Sequence, residues 1–449
     1  MRRHVIAGRF GRTDVVAIPI ASDEQMTLVD MLAGKSLAHG IGQALCDMAD
    51  LNLGPTELAV DFMLVAAHVH AADTRIARAS ESQDGWSREI RLVVPVSDPE
   101  RWSSASPILE RMLRFLTGDL WRVGFRSRPG DFVTIAEPRP KPLVPVDFDC
   151  VSLFSGGLDS LVGAIDILKS GSKPLLVSHA GEGAVSKSQE DCFSSLKDAF
   201  PTSKFDRLRI WMAFRKGLID GVESEDTTRG RSFLFFSLGV AAGVSLGQEF
   251  TLNVPENGLI ALNVPMDPLR LGALSTRTTH PFYMARWNEL LTALDIRGSL
   301  VNPYWDKTKG EMVAACSDSS ILKGIVSQSL SCSSPTKGRW DGRPQGHCGY
   351  CLPCLIRRAS LLGDDPTSYG LNDLRKRTLD TTHAEGQQVR SFQLAARRVA
   401  KRPELAGILI HKPGPLTDHL DRLDAYADVY RRGLAEVDRL LAGVTTAPT

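Results

Sequence analysis

The segment that most restricts the fold is CVSLFSGGLDSLVGAIDIL, residues 150–168, where an apolar run enters two adjacent glycines and leaves with helical spacing. Cys150 to Phe154 has the length of a buried strand, and Leu158 to Lys169 reads as a helix ended by Gly171. Gly156 and Gly157 let the backbone come close to a ligand, and the helix start offers N–H groups to an anion. Ser155 and Ser160 add hydroxyls. No lysine follows the second glycine, so the G-x-x-x-x-G-K-[ST] loop is absent and ordinary γ-phosphate transfer is disfavoured. A grip on pyrophosphate is expected instead.

The same grammar continues downstream. Pro174 to Ser178, Phe205 to Trp211 and Phe250 to Val254 read as strands, with helices at Ser186 to Phe200 and Ser232 to Leu246. Short apolar strands alternating with helices predict an α/β fold, a parallel sheet with helices on both faces and ligands at the carboxyl ends of its strands. Upstream, apolar runs at Val15 to Ile20, Ile90 to Val96 and Phe132 to Ile135 alternate with helical patterns at 37–48 and 57–72, which suggests an α+β domain over 1–137 with a core of its own. No catalytic constellation stands out there. Asp61, His68, His70 and Asp73 do not share a helix face and are expected to be solvated or capped, while Trp86, Trp102 and Trp121 are expected in the core or an interface. Four prolines in Pro138 to Pro145 mark a linker, 138–147. In the tail, 366–449, Leu416, Leu420, Leu423, Tyr426, Tyr430, Leu434, Val437 and Leu441 form a helical packing stripe behind a Thr417 cap.

Eight cysteines are present; Cys332, Cys348, Cys351 and Cys354 crowd into one segment, spaced x15, x2 and x2. Four thiolates with three in a tight run make up the donor set of a closed tetrahedral Zn2+ site, predicted over 331–365 with a structural role. The rival is a redox pair at Cys351-Leu-Pro-Cys354; thioredoxin-type pairs need no further cysteines. His347 is expected beside the site.

These residues carry a resemblance. SGGLDS resembles the SGGxDS signature of the PP-loop ATP pyrophosphatases, whose nucleotide fold is HUP-like, and SC…HCGYCLPCLIRR after such a domain resembles the zinc knuckle of QueC-like enzymes, named for 7-cyano-7-deazaguanine synthase. It covers roughly residues 148–365, with the PP-loop domain at 148–330. It implies ATP, Mg2+ and Zn2+, cleavage of ATP to AMP and pyrophosphate, and adenylation of a carboxylated 7-deazapurine before transfer to an amine. Ser155, Gly156, Gly157, Asp159 and Ser160 would hold the nucleotide, with Asp159 near Mg2+ or pyrophosphate and Ser160 close to the chemistry. Arg229-Gly230-Arg231-Ser232 resembles the turn opening the family's fourth helix, so that Arg229 would contact ATP and Arg231 phosphate or substrate. Lys307-Thr308-Lys309-Gly310-Glu311 resembles its late Lys-Ala-Glu segment, placing Lys309 near the phosphates.

Glu256-Asn257-Gly258 and Ser275 to Met284 do not align to the family's purine-binding pattern. With its added terminal regions, the chain looks more like QueC-like proteins of Qat and related anti-phage gene clusters. Region 1–137 is then expected to recognise a partner protein of such a cluster, or substrate. Other readings remain open: RNA base modification, or a catalytically silent nucleotide-gated scaffold. The balance of 53 Lys+Arg against 52 Asp+Glu gives no bulk attraction to nucleic acid or anionic lipid. Ser232 to Gln248, 17 uncharged residues, is too short to span a membrane. With no apolar leader at the start, a cytoplasmic location is expected.

Overall fold

The computed structural model describes residues 3–15, 17–136, 147–181, 183–266, 277–336, 338 and 345–448. The linker at Pro138 to Pro145 lies outside them, as do the first two residues of the Ser275 to Met284 segment.

The first layers comprise β1 (Arg3–Arg9), β2 (Glu24–Asp30), α1 (Ile41–Asp50), α2 (Glu57–Arg75), β3 (Glu89–Val96), α3 (Pro99–Thr117) and β4 (Leu120–Ser127). Their sheet runs β2-β1-β3-β4 with every neighbour parallel, so the region is α/β where α+β was expected. Thr56 caps α2 by accepting from the Ala59 N–H, and Asp98 caps α3 ahead of Pro99 at its first position. The described residues of two apolar runs form no strand. Val15, 88% exposed, lies in the long β1–β2 connection, and Phe132 closes a short 3-10 turn.

The second sheet is built from β5 (Cys150–Leu153), α4 (Leu158–Lys169), β6 (Pro174–His179), α5 (Gly183–Ala199), β7 (Asp206–Ile210), α6 (Arg231–Val244), β8 (Phe250–Asn253), α7 (Gly258–Leu262), α8 (Pro281–Ala293) and β9 (Gly298–Val301). Its order is β9-β8-β5-β6-β7, again all parallel. The chain first moves outward from β5 to β7, then crosses back to β8 on the other side of β5. Right-handed crossovers therefore put α4 and α5 on one face and α6 and α8 on the other. The reversal leaves a crevice above the carboxyl ends of β5 and β8, where ligands bind in such sheets.

α2 packs on α6 and α3 on α8, so the two sheets enclose a double helix layer. A single apolar cluster runs through it, joining Phe62 and Trp102 of the first region to Phe233 and Trp287 of the second; the Phe62 and Trp287 rings are 6.4 Å apart. Region 1–137 thus has no core of its own. Being covered on both sides, α2 is apolar nearly all round. Asp61, His68 and Asp73 are correspondingly buried and His70 half-buried, contrary to expectation. Asp61 accepts from the Ser97 N–H, the Ser97 hydroxyl, the Trp102 indole N–H and Arg128, while Asp73 joins Asp119, Arg78 and Arg88 in an ion network. Trp102 and Trp121 are buried as expected.

The chain continues through α9 (Lys309–Ala314), α10 (Leu352–Ser360), α11 (Ala384–Lys401) and α12 (Leu423–Leu440). Tyr426, Tyr430, Leu434 and Val437 bury the α12 stripe against α7, α10 and α11. The stripe starts later than its periodicity suggests: Thr417–Arg422 is a 3-10 segment broken at His419, and Leu420 is exposed. Among the described residues no helix is long and apolar enough to cross a membrane.

Candidate functional site

The turn between β5 and α4 opens into the crevice. Gly156 adopts φ +76°, a conformation that disfavours side chains, and its carbonyl accepts from the Leu330 N–H and the Ser188 hydroxyl, both at 2.8 Å. Gly157 is the N-cap of α4 and offers no side-chain cap. Ser155 is exposed at the rim; its Oγ lies 3.1 Å from the Ser160 Oγ and accepts from the Gly157 N–H.

Asp159, in the first turn of α4, collects the rest. Its Oδ1 accepts from the Lys309 ammonium at 2.5 Å, and its Oδ2 accepts from the Asn257 side-chain amide at 2.8 Å and backbone N–H at 3.2 Å. Lys309 is buried and opens α9, whose start is fixed by a capping box between Thr308 and Glu311. Asn257 follows β8 and caps α7 by accepting from the Ile260 N–H. Loops after β5, β8 and β9 thus meet at one carboxylate.

Glu256 stands beside this pair. Burial and the charge of Asp159 push its carboxyl up to about 7, against the pull of the Thr279 hydroxyl that donates to it and of Lys309. Its backbone is clamped by Asn302, which accepts from the Glu256 N–H and donates to its carbonyl.

Ser155, Gly156, Gly157, Asp159, Ser160 and Lys309 are therefore brought together. Arg231 opens α6 further along the rim, its guanidinium 3.1 Å from where a Gly181 side chain would begin, just beyond β6. Arg229 is not brought to the turn. It lies 4.4 Å over the Trp86 ring and donates to the Thr117 carbonyl in the first region, where burial and neighbouring Arg78 lower its pKa to about 10.

Asn257, Glu256 and three supporting groups were not singled out as site residues from sequence. Arg357 and Ser331 support the turn, and Glu436 of α12 accepts from the Thr308 hydroxyl and the Gly310 N–H on either side of Lys309.

The four clustered cysteines bring their sulfurs within 4.8 Å of one another, with Cys332–Cys351 and Cys348–Cys354 each at 3.9 Å. Tetrahedral Zn2+ with Zn–S bonds of ~2.3 Å needs S···S of roughly 3.8 Å, so the donor set fits. Backbone N–H groups of Cys348 and Cys351 donate to the Cys332 and Cys348 sulfurs and help disperse their charge. His347 is outside the set; its Nε2 accepts from the Ser331 N–H. No disulfide joins any of the eight cysteines, Cys351 and Cys354 included. The turn likewise suits a polyanion with a divalent cation, since Gly157 puts no side chain of its own at the helix start, only the Ser155 and Ser331 hydroxyls among the described residues meet its first N–H groups, and Asp159 Oδ1 keeps a lone pair beyond its Lys309 contact.

Compared with known proteins, the chain matches no family model and no curated protein sequence.

Proposed function

We propose that this chain is a QueC-like PP-loop ATP pyrophosphatase that adenylates a carboxylated 7-deazapurine and passes the acyl group to an amine, either ammonia or an amino group of a partner protein from an anti-phage gene cluster. The observation that carries the reading is the convergence of the SGGLDS turn, Lys309 and Asn257 on Asp159 in the crevice between β5 and β8. A kinase loop would place its lysine within the turn; here it arrives from α9.

In this reading a substrate carboxylate oxygen attacks the α-phosphorus of ATP, the bond to the bridging oxygen breaks, and pyrophosphate leaves toward the N-terminus of α4. Mg2+, when bound, neutralises phosphate charge. The backbone at Gly156-Gly157 admits the leaving group closely, Ser155 and Ser160 donate to its oxygens, and Lys309, released in part from Asp159, offsets its charge. Arg231 meets phosphate or substrate from the β6 side. Glu256, poised near neutral pH, accepts the proton shed by the attacking amine as the acyl–oxygen bond to AMP breaks. Holding adenylate and amine in one crevice supplies the effective concentration.

The test is pyrophosphate and AMP release by the purified chain with and without 7-carboxy-7-deazaguanine. Release stimulated by the deazapurine and lost in Asp159→Ala supports the reading; equal release by wild type and variant removes it.

A further inference from the structure

Between the candidate phosphate turn and the cysteine cluster runs a strap of three residues, Ser329-Leu330-Ser331, which ends directly on Cys332. Leu330 is tied to the turn, Ser329 to the helix behind the cysteines, and Ser331 to both. On the turn side, Leu330 N–H donates to the Gly156 carbonyl at 2.8 Å and Ser331 Oγ accepts from the N–H of Leu158, the first residue of α4, at 3.2 Å. On the cysteine side, Ser331 N–H donates to His347 Nε2 at 3.0 Å, and His347 immediately precedes Cys348. Behind the strap lies Arg357, fully buried and one helical turn past Cys354. Its guanidinium donates to Ser329 Oγ at 2.8 Å, to Ser331 Oγ at 3.4 Å and to the Val326 carbonyl at 2.7 Å.

Three of the four cysteines are thus next to, or one turn from, a group that holds the strap. The strap in turn supplies the remote hydroxyl at the start of a helix whose own N-cap, Gly157, has none. A knuckle that only stabilised itself would need no such contacts.

We propose that the metal-loaded cysteine cluster sets the geometry of the phosphate turn through this strap, with Ser331 as the positioning residue, so that anion binding at the start of α4 depends on zinc. Zinc fixes Cys332 relative to Cys348 and Cys354, which fixes the two ends from which Ser331 and Arg357 reach the turn. Without the metal, Cys332 is free to shift, and the hydroxyl leaves Leu158. The inference rests on the anion-binding reading of the turn, and the experiment separates the two.

Full-length protein is prepared zinc-loaded, zinc-stripped with a chelator, and as zinc-loaded Ser331→Ala and Ser331→Thr. Pyrophosphate and ATP binding are measured by calorimetry and backbone amide exchange over 154–161 by mass spectrometry. Ser331→Ala should keep its zinc, exchange faster at 156–158 and bind pyrophosphate about tenfold more weakly, the loss of one hydrogen bond. Ser331→Thr, which keeps the hydroxyl, should restore both. Zinc removal should produce the same exchange change at 156–158 with a larger loss of binding. Unchanged exchange and unchanged pyrophosphate affinity in Ser331→Ala overturn the proposal, even where stripping zinc unfolds the knuckle. If the loaded wild type binds neither anion, the anion reading falls. Exchange at 156–158 then decides the coupling alone: faster exchange in Ser331→Ala and in the zinc-stripped protein sustains it, and unchanged exchange ends it.

Discussion

The two terminal regions meet the second sheet by different chemistry. The N-terminal one presses apolar helix faces onto α6 and α8, with Phe62 and Trp102 joining Phe233 and Trp287, and adds one polar pin where Asp73 accepts from the Gly230 N–H just before α6. The C-terminal one also has an apolar face, but at the crevice it contributes carboxylate and guanidinium groups: Glu436 brackets Lys309 through Thr308 and Gly310, and Arg432 pairs with Glu311 of the same capping box. Apolar burial is non-directional and decides whether the sheet has a covered face at all. Charged hydrogen bonds are directional and decide where one side chain points. The contrast separates a region needed for folding from one that trims the site.

Deleting 1–146 is the bluntest way to break the comparison. It would uncover α6 and α8, including Phe233, Phe236 and Trp287, each fully buried. At ~1.5–3 kcal/mol per large side chain the loss from these three alone is comparable to a domain's usual margin. Soluble yield and circular dichroism should show no folded protein. A folded, active fragment would mean that the second sheet stands alone.

Asp73→Ala should follow. It leaves Arg78 and Arg88 sharing Asp119 and the Gly230 N–H without its acceptor, a loss of about 3–5 kcal/mol for breaking a buried ionic network, read as a lower urea midpoint. If Arg231 is positioned by this pin, ATP turnover should fall as well under conditions where the variant stays folded.

How much of this was legible beforehand varied with how local the signal was. Two glycines between a strand and a helix announce themselves within six residues, and four cysteines at x15, x2, x2 do so within twenty-three. β1 does not. HVIAG is buried throughout as an inner strand and shows no alternation, whereas Val15, Ala17 and Ile20 of the next apolar run are exposed around Pro19. α2 misled for a related reason: a helix covered on both faces has no polar side, so Asp61 and Asp73 looked like solvated residues when each is held by arginines from elsewhere in the region. Glu436 is 128 residues from Thr308, and nothing near it in sequence hints at the contact. Only Ser331, adjacent to Cys332, carried a cue that could have been used.

On the site itself, Lys309→Ala should leave the fold intact and reduce pyrophosphate release by ~10²–10³, the range for loss of one preorganised charge contact. Asp159→Asn should lose a similar amount. A variant with wild-type turnover would place the chemistry away from this crevice.

Glu256 provides a pH test. Its carboxyl is raised to about 7 from an ordinary value near 4.5, so the folded state holds the proton more tightly than the unfolded one. Its contribution to stability is complete below pH ~4.5 and is lost as pH rises through about 7, amounting to roughly 3 kcal/mol at most. Glu256→Gln should therefore flatten the fall in Tm between pH 5 and 8 relative to wild type. An identical slope in both proteins would show that Glu256 does not titrate as stated.

The smallest effect belongs to the C-terminal arm. Glu436→Gln removes the charge and one of the two acceptor oxygens, leaving either the Thr308 hydroxyl or the Gly310 N–H without its partner, and should cost about 1 kcal/mol of stability with a several-fold fall in turnover. Turnover falling more than stability would support the trimming role; the reverse would make α12 a cover like the other end.

The double helix layer between the two sheets also has a consequence for how the molecule opens. α2 and α6 are shielded on both sides by protein, whereas β2, β4, β7 and β9 each have an edge without a strand partner among the described residues. Fraying should therefore begin at the four sheet margins and reach the centre last. The slowest-exchanging amides should belong to helices drawn from two distant stretches of chain, α2 near residue 65 and α6 near residue 238, and should exchange at one common rate. In hydrogen-exchange terms those stretches form a single cooperative unit, and the linker at 138–145 is no boundary between foldons.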